Sequence, residues 1–192
     1  SMLIGIDLLD RRFNSIMAMV NATQDYELLT GSNPITGGSL PIWNLLSEPD
    51  FVLTTDNGAY RDFQSATLRF DKRYADGWSL RSSLVWTDLE GNILKNNGYA
   101  NEFRDRNGLY NADGRMDLAF SEWEFKLSGT VDLPWGFQFG GQYTFLSGWY
   151  WTPYGRVSGL DYNSSIGRDI DLVERGTEQL DDRSLIDLRL AW

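Results

Sequence analysis

The chain has 192 residues, 42% of them hydrophobic, and carries 27 acidic against 17 basic side chains for a net charge of −10. That is enough apolar material for one ordinary domain, and the acidic balance excludes a phosphate-binding face for nucleic acid. Cysteine and histidine are both absent, which removes disulfides, thiolate zinc sites and every nucleophile system built on imidazole.

The N-terminus shows no basic stretch leading into an apolar one, so it does not read as a signal peptide; an exported parent would carry its signal upstream. No apolar run approaches the roughly 18 residues of a membrane helix. Ile4, Ile6 and Leu8 alternate with Gly5 and Asp7, which predicts a first strand. Over residues 7–20 the reading stays open, because Leu9, Phe13, Ile16 and Val20 also fall at helical spacing.

From residue 60 onward the period is two. Ala66, Leu68 and Phe70 share one side, and Arg61, Ser65, Thr67, Arg69 and Asp71 the other. Trp78, Leu80, Leu84 and Trp86 oppose Ser79, Arg81 and Ser83. Trp123, Phe125, Leu127, Val131 and Leu133 alternate with Glu122, Glu124, Lys126, Ser128, Thr130 and Asp132. Phe137, Phe139, Tyr143 and Phe145 alternate with Gln138, Gln142 and Thr144. Last, Ile186, Leu188, Leu190 and Trp192 alternate with Leu185, Asp187, Arg189 and Ala191. About six long antiparallel strands follow, an all-β up-and-down meander over a single unit, residues 1–192.

The connections alternate in length. "ADG" (residues 75–77) and "PWG" (134–136) read as tight turns. Between them stand three long polar stretches, residues 21–58, 91–116 and 152–183, which read as loops without regular structure. Short turns at one rim and long loops at the other are the layout of an outer-membrane β-barrel, and such strands need only about 9–11 residues to cross. Aromatic residues gather where the two membrane interfaces would fall: Trp78, Trp135, Phe137 and Trp192 at the short-turn rim, and Tyr60, Trp86, Trp149, Tyr150 and Trp151 at the other. Six strands are too few to close a membrane barrel, since single-chain barrels start at eight. The expectation is a segment truncated at both ends, with two unpaired edge strands.

The stretches 60–92, 131–155 and 175–192 resemble the C-terminal half of the barrel of TonB-dependent outer-membrane receptors, in the branch that often bears a carboxypeptidase-regulatory-like N-terminal domain. The matching features are Tyr60-Arg61, the Lys72-Arg73 pair before Gly77-Trp78, the Leu133-Pro134 turn, the Ser147-Gly148 step and the closing Asp187 to Leu190 strand. The resemblance implies a larger barrel in the outer membrane of a Gram-negative bacterium. It also implies uptake of a scarce nutrient of the siderophore, cobalamin or glycan class, and partners in outer-membrane lipid, a plug domain and the remaining strands. The inner-membrane energy-coupling complex would act only through the plug, which this chain lacks. No cofactor is implied.

Site candidates follow from the faces. Arg61, Arg69, Arg81, Glu122, Glu124, Lys126, Asp187 and Arg189 would line the lumen, against the plain alternative of a solvated wall. Trp149, Tyr150, Trp151 and Tyr154 could stack on substrate or simply anchor a loop. Trp78, Trp135, Phe137 and Trp192 would sit at the membrane interface. Asp169, Asp171, Glu174, Glu178, Asp181 and Asp182 concentrate carboxylates, but their spacing matches no calcium loop, and an acidic solvated loop is the simpler reading. No catalytic constellation is present, so the chain does not read as an enzyme. A self-contained sandwich, or a small or oligomeric barrel acting as a binding or adhesion module, gives the same alternation and is the competing reading.

Overall fold

The computed structural model describes residues 1–93, 102–116, 120–162 and 169–192. Its frame is six long strands: β1 (Met2–Asn14), β2 (Tyr60–Ala75), β3 (Trp78–Gly91), β4 (Trp123–Asp132), β5 (Gln138–Leu146) and β6 (Arg183–Ala191). They pair antiparallel in sequence order. The outer edges of β1 and β6 have no strand partner among the described residues. The all-β antiparallel meander thus agrees with the sequence pattern.

The region left open between helix and strand is extended. β1 pairs with β2 over its whole length, Met2 opposite Lys72 through Asn14 opposite Tyr60. The chain then breaks at Ser15 (φ 54°) and resumes as the short strand Ala18–Asn21. The helical spacing of Leu9, Phe13, Ile16 and Val20 therefore carries no helix; Leu9 and Phe13 pair with β2, the Ile16 N–H donates to the Ala59 carbonyl, and Val20 pairs with Val52.

Both short turns use two consecutive residues at positive φ, Asp76 (56°) with Gly77 (79°) and Trp135 (64°) with Gly136 (81°). In the first, a two-residue hairpin closed by paired Ala75 and Trp78, this is the type I′ geometry, whose twist matches that of the flanking strands; the second is a three-residue 3₁₀ turn, Pro134–Gly136. A tryptophan in the left-handed region costs about 1–2 kcal/mol. Above the first turn a register shift between Lys72 and Ala75 bulges β2. The bulge folds the Lys72 ammonium over the Trp78 ring at 3.8 Å and onto the carbonyls of Ala75 (2.7 Å) and Trp78 (2.9 Å).

Register makes the two faces continuous. Ile4, Phe70, Ser82, Leu127, Tyr143 and Ile186 form one rank across all six strands; Ile6, Leu68, Leu84, Phe125 and Phe145 form the next. Many of these apolar side chains are exposed: Ile6 at 69%, Leu8 at 78% and Leu188 at 69%. The opposite face carries ranks such as Leu3, Asp71, Arg81, Ser128, Gln142 and Asp187.

The long connections correct the expectation of loops without regular structure. Residues 21–58 extend a small hairpin begun by Ala18–Asn21, which pairs with Phe51–Thr54, and enclose another, Tyr26–Ser32 with Ser39–Leu45. The last connection contains Tyr150–Trp151 paired with Glu178–Gln179 and Tyr154–Arg156 paired with Asp169–Asp171. In the middle one, 3₁₀ turns at Glu102–Arg104 and Asn107–Leu109 precede Gly114–Arg115, which extends the sheet along β3. These pieces pack into a cap with its own buried clusters. Ala18, Ala59 and Ile93 make one, and Leu40, Ile170 and Leu172 the other, with Tyr110 packed against the latter.

Asparagines hold the cap together by standing in for backbone. Fully buried Asn107 donates to the Trp43 carbonyl (2.7 Å) and accepts from the Trp43 N–H (2.9 Å), as a strand neighbour would. Asn44 makes a related clamp, accepting from the Asp161 N–H (2.9 Å) and donating to the Asp161 carboxylate (3.0 Å). Asn33 reaches the Leu172 carbonyl and ties the first connection to the last.

Candidate functional site

The polar face gathers most of the charged residues singled out from the sequence. Arg69 lies 3.5 Å from Asp7, Arg81 lies 3.2 Å from Asp71, and Lys126 lies 2.7 Å from Glu124. Cross-strand geometry produces the first two contacts, because side chains of one parity on adjacent strands stand about 5 Å apart, whereas Glu124 and Lys126 are same-face neighbours two residues apart on β4. Asp187 and Arg189 share this face on β6, opposite Gln142 and Gly140. A shallow concavity of about 650 Å³ near the short-turn rim is lined in part by Arg81, Gln142, Asp187 and Arg189. Arg61 sits apart at the loop end of β2, across from Phe13, and its buried Nε has no hydrogen-bond partner.

Glu122 does not join Glu124 and Lys126. It lies in a bend just before β4, and the bend breaks the alternation that would have placed the three together. Its carboxylate accepts instead from Trp86 Nε1 (3.2 Å), from Arg115 (3.2 Å) and from the Tyr150 hydroxyl. Arg115 also lies 3.6 Å from Asp88 and stacks on the Tyr150 ring at 4.6 Å. Burial pushes the Glu122 carboxyl up, but hydrogen bonds from Tyr150 and Trp86 and the Arg115 charge outweigh it and hold the group below its ordinary value. Burial first, and then the hydrogen bond to Glu122, push the Tyr150 phenol up to about 12. Arg115, which carries this junction, had no signal in the strand pattern because it comes from a connection.

The aromatic run 149–154 divides. Trp149 lies under the Arg183 guanidinium, 4.6 Å from its ring centroid, while Tyr150 belongs to the Glu122 junction. Trp151 and Tyr154 are exposed and pair across short strands with Glu178 and Asp171. Trp149 lines a pocket of about 380 Å³ at the loop end of the polar face. One cross-strand rank, Val85, Glu124, Leu146 and Arg183, crosses that pocket. Phe120 and Ser121 close it from the connection before β4. Glu124 and Trp149 were legible as candidates; Arg183 was not singled out, although its alternation with Leu185 and Asp187 placed it on that face.

Trp78, Trp135, Phe137 and Trp192 lie together at the short-turn end of the sheet. Trp135 is 86% and Trp192 91% exposed, and Trp192 Nε1 donates to the Trp135 carbonyl at 3.3 Å. Trp78 and Phe137 are half-buried beside them. At the opposite end of the apolar face Trp86 and Trp123 pack together with ring centroids 6.5 Å apart. The acidic stretch resolves into separate partners: Asp169 binds Arg156 (2.8 Å), Asp171 binds Arg175 (3.4 Å), and Asp182 accepts the Gly148 N–H (3.0 Å). No cluster of three or more metal-ligating side chains occurs among the described residues.

Family models, curated proteins and solved structures give no match to this chain.

Proposed function

We propose that the chain supplies wall and outer loops to a TonB-dependent outer-membrane receptor that binds and imports a scarce nutrient of the siderophore, cobalamin or glycan class. One observation carries the reading: the apolar face of the meander is exposed across all six strands and ends at aromatic residues on both rims. From Trp78 to Trp86 is eight residues, about 27 Å of strand. Tilted by about 40°, that spans roughly 20 Å, close to the apolar band of an outer-membrane barrel. Exposed Ile, Leu and Phe over such an area are unfavourable in water and favourable in lipid. The polar face then lines the lumen, with the paired charges of β1–β4 and the two concavities available to a plug or a cargo. The cap of small hairpins stands at the outer rim, and outer-membrane lipid, a plug domain and further strands are the partners required. The receptor class rests on the resemblance in strand and turn motifs.

Partition of the refolded chain between buffer and detergent tests this. Detergent is expected to be required for a folded, dispersed state. A chain that stays monomeric, folded and soluble without detergent overturns the reading and favours a self-contained binding module.

A further inference from the structure

The small pocket at the loop end of the polar face has a definite chemistry. Its cation is Arg183. The guanidinium stacks on Trp149, and among the described residues no carboxylate pairs with it. This is notable in a chain of net charge −10, where Asp181 and Asp182 precede Arg183 directly. Asp182 is engaged elsewhere, on the Gly148 N–H. Stacking on an indole leaves the planar edge of a guanidinium free and holds it in orientation, which lowers the entropy lost when two N–H groups grip an acid.

The other charge in the pocket is already balanced. Glu124 is bound by Lys126 at 2.7 Å. Glu124 and Arg183 lie two strands apart in one rank, about 10 Å between backbones. Leu146 stands between them and Val85 beyond, with Phe120 over the top. A cation without a carboxylate partner therefore borders a space of about 380 Å³ with a mixed lining, Leu146, Val85, Phe120 and Trp149 beside Thr87, Ser121 and Glu124, at the small end of ligand-site sizes.

We propose that this pocket binds a small organic carboxylate with an apolar, ring-sized body. The carboxylate takes the free edge of Arg183, and the body lies against Leu146 and Phe120, short of Glu124 on the next strand. This deepens the receptor reading by giving the chemistry of one cargo group, and it rests on that reading for the route of entry alone. The binding step requires only the folded rank and the Trp149 loop.

The test uses phenylacetate as probe and 2-phenylethanol as its uncharged counterpart, titrated into the full refolded chain in detergent with ligand-observed NMR. Phenylacetate is expected to bind at least tenfold more tightly than the alcohol. Arg183→Gln is expected to abolish that preference, leaving the alcohol unchanged. Arg183→Lys, which keeps the charge but loses the planar fork, is expected to retain part of it. Arg12→Gln, on the other face of the sheet, controls for overall charge and is expected to bind like the parent. Equal phenylacetate binding by the parent and Arg183→Gln overturns the proposal. So does an equal loss in Arg12→Gln, or no binding by folded parent chain at millimolar probe. Solubility without detergent would overturn the receptor reading while leaving these titrations decisive for the pocket.

Discussion

The six-stranded wall and the cap above it divide the apolar residues of this chain in opposite ways. In the wall, Ile4, Ile6, Leu8, Ile186 and Leu188 are all more than 60% exposed. In the cap, Ala18, Ile93 and Ile170 are fully buried, and every buried hydrophobic residue of the described chain lies outside the six long strands. A water-soluble β-protein does the reverse, placing its core under the sheet. The wall leaves its apolar side chains exposed, whereas the cap buries its own. Three connections, each too short of apolar residues to fold alone, share two clusters and a set of asparagine clamps.

Substitutions can break this contrast. The largest expected effect is Leu84→Arg, in the middle of the apolar face. In a bilayer it is expected to cost about 2–4 kcal/mol of folding free energy, read from denaturant titration of liposome-inserted chain; an unchanged midpoint would mean that this face does not meet lipid. Next is Ile170→Ala, fully buried in the cap, with an expected loss of about 2–3 kcal/mol. That loss should be confined to the cap. Protease cutting within residues 21–58 and 152–183 should rise, while amide protection of β2 and β3 stays as it was.

Asn107→Ala removes both bonds from fully buried Asn107 to the half-buried Trp43 backbone. A cost of about 1–2 kcal/mol is expected, read as faster hydrogen exchange at Trp43. The smallest effect concerns pH at the Glu122 junction. The folded carboxyl titrates below its ordinary value of 4.5, so its contribution is complete above that value and is lost as pH falls through the lowered one. Amide protection at Arg115 and Tyr150 should therefore fall as acidification passes through that lowered value. Glu122→Gln should remove that pH dependence and give the looser junction at neutral pH. Acid dependence unchanged in the variant would assign it to another group.

Much of the wall was legible because alternation is a local property. Each of Trp78, Leu80, Leu84 and Trp86 points the same way whatever lies next to it, and Asp76-Gly77 suffices to mark a tight turn. The alternation failed at Glu122, where a bend resets parity and nothing in the neighbouring residues signals it. The helical spacing over Leu9 to Val20 shows the converse, a periodic signal overruled by the strand beside it. In the site, Glu124 and Trp149 were visible singly. That they share a pocket with Arg183 depends on register, which the sequence does not state.

The sequence by itself determined that this chain makes long two-faced strands, apolar on one side and charged on the other, joined by tight turns at one rim. Only the tertiary structure decided how the connections fold, which carboxylates are paired, and where the Arg183 guanidinium meets a pocket. The physical reason is range. Strand period and turn geometry are set by residues within a few positions of each other. The cap is set by contacts such as Asn33 with Leu172 and Asn44 with Asp161, 139 and 117 positions apart, which require that the three connections meet at one rim.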